Sequence, residues 1–265
     1  MILTQLNEYI NIYIFENKNW QVNYNMNIAL IFAGGTGIRM KGTSQPKQFL
    51  QLYGKEIIIH TIENFERHSD IDSIAVICIE SWMHYLKDLL EKYNLKKIKW
   101  LIPGGKTGQE SIFKGLSVIK DDVQDDSVIL IHDGVRPLIT QELISQCITS
   151  VIANGNAITV TPAIETVVSI DNSTGKIINI TDRSKCFNAK APQCFRLKDI
   201  WQGHIKAIAD GFTDMIDSAS LMRYYGYELF TIQCDYSNIK ITTASDFYVF
   251  RALYESRENS QVFGL

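Results

Sequence analysis

The stretch "LIFAGGTGIRMKGTSQPKQFLQL", Leu30 to Leu52, has the spacing most suggestive of chemistry. An apolar run stops at Ala33. Gly34-Gly35-Thr36-Gly37 follow it, with Arg39 and Lys47 close behind. Glycine lacks a Cβ, so its backbone N–H groups can approach phosphate oxygens closely. Arg offers a planar fork to such oxygens, and Lys offers a mobile point charge. A triphosphate is strongly anionic, and a chain of net charge -3 must meet it with local cations. The pattern therefore reads as a phosphate cradle flanked by two cations.

Three further places could carry chemistry: Gly104-Gly105, His132-Asp133 in "LIHDGVRP", and the 235–240 segment. Asp133 follows a buried run. A carboxylate there can hold Mg²⁺, which takes few protein ligands plus phosphate oxygens. A helix cap or turn role is the alternative for Asp133. His132 reads as a packed or hydrogen-bonded histidine, and the absence of further metal-ligating histidines nearby disfavours zinc. Arg136 reads as an ion-pair residue rather than a catalytic one. The glycine loop is not a Walker loop, because no G-K-[ST] closes it. It is not a dinucleotide fingerprint, because Met40 stands where that pattern needs glycine. No G-x-S-x-G elbow or cysteine nucleophile signature occurs, so a covalent mechanism is not indicated.

In an open α/β sheet, ligands sit outside the carboxyl ends of the strands, and the spacing predicts such a sheet. "IALIFAG", "IDSIAVICI", "KKIKWLIPGG", "SVILIHDGVRP" and "AITVTPA" read as buried strands. Helical patterns separate them, as in "IIIHTIENFERH" with Ile58, Ile62 and Phe65 on one face. Strand and helix alternate five times, which predicts an α/β, Rossmann-like, mostly parallel sheet with helices on both faces. The pattern then changes. "IETVVSIDNSTGKIINITDRSKCFNA" alternates in short pieces around "DNSTGK", so residues of about 163–190 are expected to leave the sheet as a β-arm. "YELFTIQCDYSNIKITT" reads as strand material. Thr243 and Asp246 form a capping box for a last helix whose apolar stripe is Phe247, Phe250 and Tyr254.

The chain has 265 residues, 46% of them hydrophobic, which fits one large soluble domain or a domain with a small appendage. We divide it into an extension of unassigned role (1–26), a domain (27–256) and a tail (257–265). The five cysteines, odd in number and without a C-x-x-C pair, point to a reducing, cytoplasmic setting. No run spans a bilayer, and the first residues lack the basic start and cleavage site of a signal peptide. A near-neutral charge balance argues against nucleic acid as a partner.

"AGGTGIRM…QPKQFL", "GG…ESI", "HDGVRP", "ET…TDR…APQCF", "DSASLMRYYG" and "DYSNIKITT" together resemble the methylerythritol-phosphate and ribitol-phosphate cytidylyltransferases. The resemblance runs from about Asn27 to Leu253. It implies a Mg²⁺-dependent nucleotidyltransferase that joins CTP to a polyol phosphate and releases pyrophosphate, working as a homodimer through its β-arm. On that resemblance, Ala33, Gly34, Gly35 and Gly37, with Gly104, Gly105 and Ser111, would surround the nucleotide. Arg39, Lys47 and Lys240 would be the catalytic cations, Asp133 would hold the metal, and Thr166 and Arg183 would bind the polyol phosphate across the dimer. Gly108 stands where relatives commonly have Arg, and Ala191 where they often have Thr. The Arg39–Pro46 loop and "DYSNIKITT" look more like the ribitol branch, which serves teichoic-acid or capsule synthesis. The alternative is the methylerythritol branch of isoprenoid synthesis. A non-catalytic nucleotide-binding protein on the same scaffold is a further reading, disfavoured by Arg39, Lys47, Asp133 and Lys240 all being present. A Rossmann oxidoreductase is disfavoured by Met40.

Overall fold

A computed structural model describes residues 12–14, 25–34 and 45–263. In chain order, β1 (Tyr13–Ile14) and β2 (Asn27–Ala33) lead into a hairpin of β3 (Gln51–Leu52) and β4 (Lys55–Glu56). Then come α1 (Ile57–Glu66), β5 (Ser73–Cys78), α2 (Met83–Lys92), β6 (Ile98–Pro103), α3 (Gly108–Lys120), β7 (Val128–Asp133), α4 (Gln141–Asn154) and β8 (Asn156–Pro162). The arm is β9 (Val168–Ile170) and β10 (Ile177–Ile180). The chain returns through β11 (Phe187–Arg196), α5 (Leu197–Ala209), α6 (Ser218–Tyr224), β12 (Thr231–Gln233) and α7 (Ala244–Phe263).

The central sheet has the order β1-β6-β5-β2-β7-β11-β8-β12. Strands β6, β5, β2 and β7 pair in parallel. Alternation along each strand builds two cores, because successive side chains point to opposite faces. In β2, Ala29 and Ile31 join Ile58 and Phe65 of α1, Leu86 of α2 and Ile144 of α4. Ile28 and Leu30 join Leu116 of α3, Ile200 of α5 and Leu221 of α6. Helices thus cover both faces, as the alternation predicts.

Two strand expectations are corrected. The "AITVTPA" strand, β8, is not a direct neighbour of β7, because β11 lies between β7 and β8, antiparallel to both. Pro192 has no N–H for a ladder, and the pairing register shifts between Ala189 and Gln193 to accommodate it. That break hides the strand from period-two reading. Of "YELFTIQCDYSNIKITT", only Thr231–Gln233 forms a strand. The stretch after it reaches the site at Lys240 as irregular chain held by specific hydrogen bonds.

The capping box forms as expected. Asp246 Oδ2 accepts from the Thr243 amide (2.7 Å), and the Asp246 amide donates to Thr243 Oγ1 (3.3 Å). Phe250 of α7 is fully buried with Ile57, Val135 and Ile241 beneath the site. Tyr13 and Ile14 pair with Leu101 and Trp100, so part of the N-terminal extension caps the β6 edge. All five cysteines are free. Among the described residues, no helix is long and apolar enough to cross a membrane.

Candidate active site

Parallel strands end at one edge, and Gly34, Gly104 and Gly105 collect there. Gly34 directly follows β2. The Gly104 amide donates to the Cys78 carbonyl at the end of β5 (2.7 Å), which draws the β6–α3 loop alongside. The backbones pack closely at this point. A Cβ on Gly104 would stand 3.5 Å from Gly34 Cα, and one on Gly34 would stand 3.2 Å from Ser111 Oγ. Only glycine at both positions leaves a slot lined by main chain. Ser111, in the first turns of α3, braces the loop. Its Oγ accepts from the Gly105 amide (2.9 Å) and donates to the Thr107 carbonyl (2.8 Å). Thr107 caps α3 by accepting from the Glu110 amide (3.1 Å).

Gly35, Gly37 and Arg39 lie outside the described residues. Lys47 begins a single 3₁₀ turn, Lys47–Phe49. Its neighbour Gln48 donates from Nε2 to the Ala33 carbonyl (2.7 Å), which ties that turn to the end of β2. Lys47 also lies near enough to Asp246 for its charge to favour that carboxylate.

The charged centre of the site is Asp133, 5% exposed, at the end of β7. Its Oδ2 meets Arg136 Nε at 2.7 Å, and its Oδ1 meets Lys240 Nζ at 2.6 Å. Burial alone would raise this carboxyl, but the Lys240 ammonium and Arg136 guanidinium outweigh it and hold the group well below the usual carboxylate range. Arg136 is therefore the ion-pair residue expected from sequence. It also donates to the Asn238 carbonyl (3.0 Å). Asn238 in turn donates to the Ala191 carbonyl (2.8 Å), and the Ile241 amide donates to Val135 (2.9 Å). These three bonds position Lys240 on a stretch with no regular secondary structure. His132 is buried, and its Nε2–H donates to the Arg136 carbonyl (3.1 Å). Burial pushes its pKa down to about 4, so it is neutral and structural. Among the described residues, no cluster of three or more His, Cys, Asp or Glu side chains could hold a metal.

Asp133, Arg136 and Lys240 line a cavity of about 360 Å³. Lys190, Gln193, His204 and Asp217 also line it, and sequence reasoning assigned none of them. Gln193 and Asp217 stand inside the strings "APQCF" and "DSASLM" that carry the resemblance, so a signal for them existed. A lone histidine on an amphipathic helix gave none for His204. Small residues Gly108, Ala189 and Ala191 leave room in the cavity wall. Thr166 and Arg183 are exposed on the arm and are absent from this lining. Arg183 Nη1 donates to the Ile164 carbonyl (3.0 Å).

Residues 27–256 match the family described as IspD, 2-C-methyl-D-erythritol 4-phosphate cytidylyltransferase. The chain is 50% identical over 239 residues to a ribitol-5-phosphate cytidylyltransferase from Vibrio parahaemolyticus, covering 90% of this chain and 100% of that one. It is 50% identical over 240 residues to a protein of the same name from Streptococcus agalactiae serotype III, covering 91% and 100%. The fold is similar to the crystal structure of 4-diphosphocytidyl-2C-methyl-D-erythritol synthase from Anaerococcus prevotii. There the TM-score is 0.76 at 28% identity, with 87% of this chain and 96% of that one covered.

Proposed function

The chain is a member of the IspD cytidylyltransferase family, and on that premise we propose that it joins CTP to D-ribitol 5-phosphate, yielding CDP-ribitol and pyrophosphate. The observation that carries this reading is the Arg136–Asp133–Lys240 cluster at the strand ends, where the backbone slot of Gly34, Gly104 and Ser111 also lies. Relatives bearing the ribitol name, at 50% identity, support the choice of polyol.

A slot of bare main chain fits a flat pyrimidine and crowds out a purine. Gly34 to Gly37, Arg39 and Lys47 take the triphosphate. A phosphate oxygen of the polyol phosphate attacks the α-phosphorus in line, the bond to the bridging oxygen breaks, and pyrophosphate leaves. The protein contributes positioning and positive charge to the transition state, with no covalent intermediate. Lys240 faces the α-phosphate, where its ammonium offsets the charge that builds there.

A carboxylate kept ionised suits Mg²⁺, which needs few protein ligands beside phosphate oxygens and water. Asp133 would hold it, and the bound ion would neutralise phosphate charge.

The arm supports a homodimer. Its two strands pair only with each other, and a lone hairpin is marginally stable in water. It nevertheless exposes Ile164, Ile170, Ile177, Ile178 and Ile180. A second copy would cover these side chains and bring Thr166 and Arg183 to its partner's polyol phosphate. The product would serve teichoic-acid or capsule synthesis.

Pyrophosphate release tests the reading, with CTP and either ribitol 5-phosphate or 2-C-methyl-D-erythritol 4-phosphate. Release with the ribitol ester is expected. Faster turnover of the methylerythritol ester would move the chain to the isoprenoid branch. Release with neither would leave only nucleotide binding.

A further inference from the structure

His204 on α5 lines the same cavity as Asp133, Arg136 and Lys240, and it is 1% exposed. The two glutamines around it are engaged. Gln109 accepts from the Met215 amide (2.8 Å) and donates to the Phe212 carbonyl (2.8 Å). Gln193 donates to Asp217 Oδ2 (2.9 Å) and accepts from the Ala219 amide (2.8 Å). Asp217 Oδ1 accepts from the Ser220 amide (2.8 Å). These bonds hold the start of α6 and the loop before it. They leave both glutamines occupied at oxygen and nitrogen alike.

His204 differs. Neither its Nδ1 nor its Nε2 has a protein partner. The ring is held by stacking on Phe113, centroids 6.0 Å apart, and Gly203 lets α5 approach Met222 of α6 closely. Buried polar groups in native proteins are hydrogen-bonded in the great majority of cases. Burial pushes the ring down to about pKa 4, so at neutral pH it carries one N–H donor and one bare nitrogen acceptor. A hydroxyl group is likewise both donor and acceptor, and so is the natural complement of a neutral imidazole.

The cavity thus has a cationic cluster able to hold a phosphate ester and an uncharged ring with open hydrogen-bonding capacity. We infer that His204 is a specificity-determining residue for the polyol, with its ring nitrogens hydrogen-bonding a hydroxyl of the sugar-alcohol chain. The inference rests on the proposed polyol-phosphate reading and deepens it. Ribitol 5-phosphate has a five-carbon chain with four free hydroxyls, whereas the methylerythritol ester is one carbon and one hydroxyl shorter and carries a methyl branch, so the longer chain has the hydroxyl that satisfies the ring. A site built to bond a hydroxyl discriminates strongly against an analogue lacking it.

The test uses the full-length chain, His204→Leu and His204→Gln, measuring pyrophosphate release at saturating CTP against each polyol phosphate. His204→Leu is expected to raise KM for ribitol 5-phosphate by about 10- to 100-fold, leaving KM for CTP unchanged. Its preference for the ribitol ester over the methylerythritol ester should narrow. His204→Gln, which keeps a donor and an acceptor, should regain most of the loss. Unchanged KM for ribitol 5-phosphate in both variants would overturn the inference. So would a lowered melting midpoint without a KM effect, since that outcome makes the ring merely structural. If His204→Leu does not fold, an unchanged KM in His204→Gln at reduced melting midpoint counts against the inference, and a KM raised for the polyol alone supports it. If the unmodified chain turns over no ribitol 5-phosphate, the functional reading fails and the inference falls with it. If the unmodified chain is active and the variants match it, only the inference fails.

Discussion

Replacing Asp133 with Asn keeps the side-chain shape and removes one charge from between two cations. At an effective dielectric of about 20, unit charges 2.7 Å apart attract by about 6 kcal/mol. Desolvation offsets part of this. Removing one partner of a buried pair nevertheless costs about 3–5 kcal/mol, because the other charge stays buried without its counter-charge. Arg136 is the charge left behind. Its side chain is 10% exposed, and beside the Asn238 carbonyl it would meet a neutral amide in place of a counter-charge. Lys240 contributes little to the cost. Its side chain is 40% exposed and can turn to water, so its pairing is worth at most ~1 kcal/mol. In a chain of this size 1 kcal/mol moves the melting midpoint by about 2–4 °C, so Asp133→Asn should melt about 6–20 °C lower. Lys240→Met should show the opposite signature. Its midpoint should barely move, while turnover falls about 10²–10³-fold with the loss of a cation at the reacting phosphate. Circular dichroism melting and pyrophosphate release, run on both variants, read the two effects separately. A normal midpoint for Asp133→Asn would refute the buried-pair argument. Near-full turnover in Lys240→Met would remove Lys240 from the chemistry.

Lys47→Ala should lower turnover about 10²–10³-fold by the same charge argument, and a variant with normal release would show that Lys47 serves the fold instead. Gly34→Val should weaken CTP binding far more than polyol binding, since even a Cβ there stands 3.2 Å from Ser111 Oγ; calorimetric CTP titration would detect it, and unaltered affinity would mean that the slot does not hold the base. Stability should fall as pH drops from 6.5 towards 4. His132 and His204 are held near pKa 4 by burial, below the 6.5 of the unfolded chain, so the unfolded state binds more protons in that window. Each histidine contributes about 3 kcal/mol that is present above pH 6.5 and lost as pH falls through the folded value; urea midpoints at pH 7 and 4.5 measure this, and equal midpoints would contradict the burial of both rings. Sedimentation of the chain lacking residues 163–186 should yield a monomer if the arm holds the dimer, and a persisting dimer would assign that role elsewhere.

The amino-acid order alone determined the elements whose period is regular. Continuous apolar runs marked the buried parallel strands, a 3.6-residue stripe marked α1, and Thr243 with Asp246 marked the start of α7. It also determined where bare backbone and charge could meet an anion, because glycine, arginine and lysine carry those capacities wherever they stand. The tertiary structure alone decided what lies beside what. Pro192 disrupts the alternation of β11, so only pairing with β7 and β8 reveals that strand. Arg136 reads locally as an ion-pair residue and becomes a cavity wall only once Asn238, 102 positions later, folds against it. His204 has the sequence signature of any core histidine. Its unsatisfied nitrogens appear only after α5, α6 and β11 have closed around it. Periodicity and residue chemistry are local properties of a chain, whereas burial, distance and the absence of a partner arise between segments far apart in sequence.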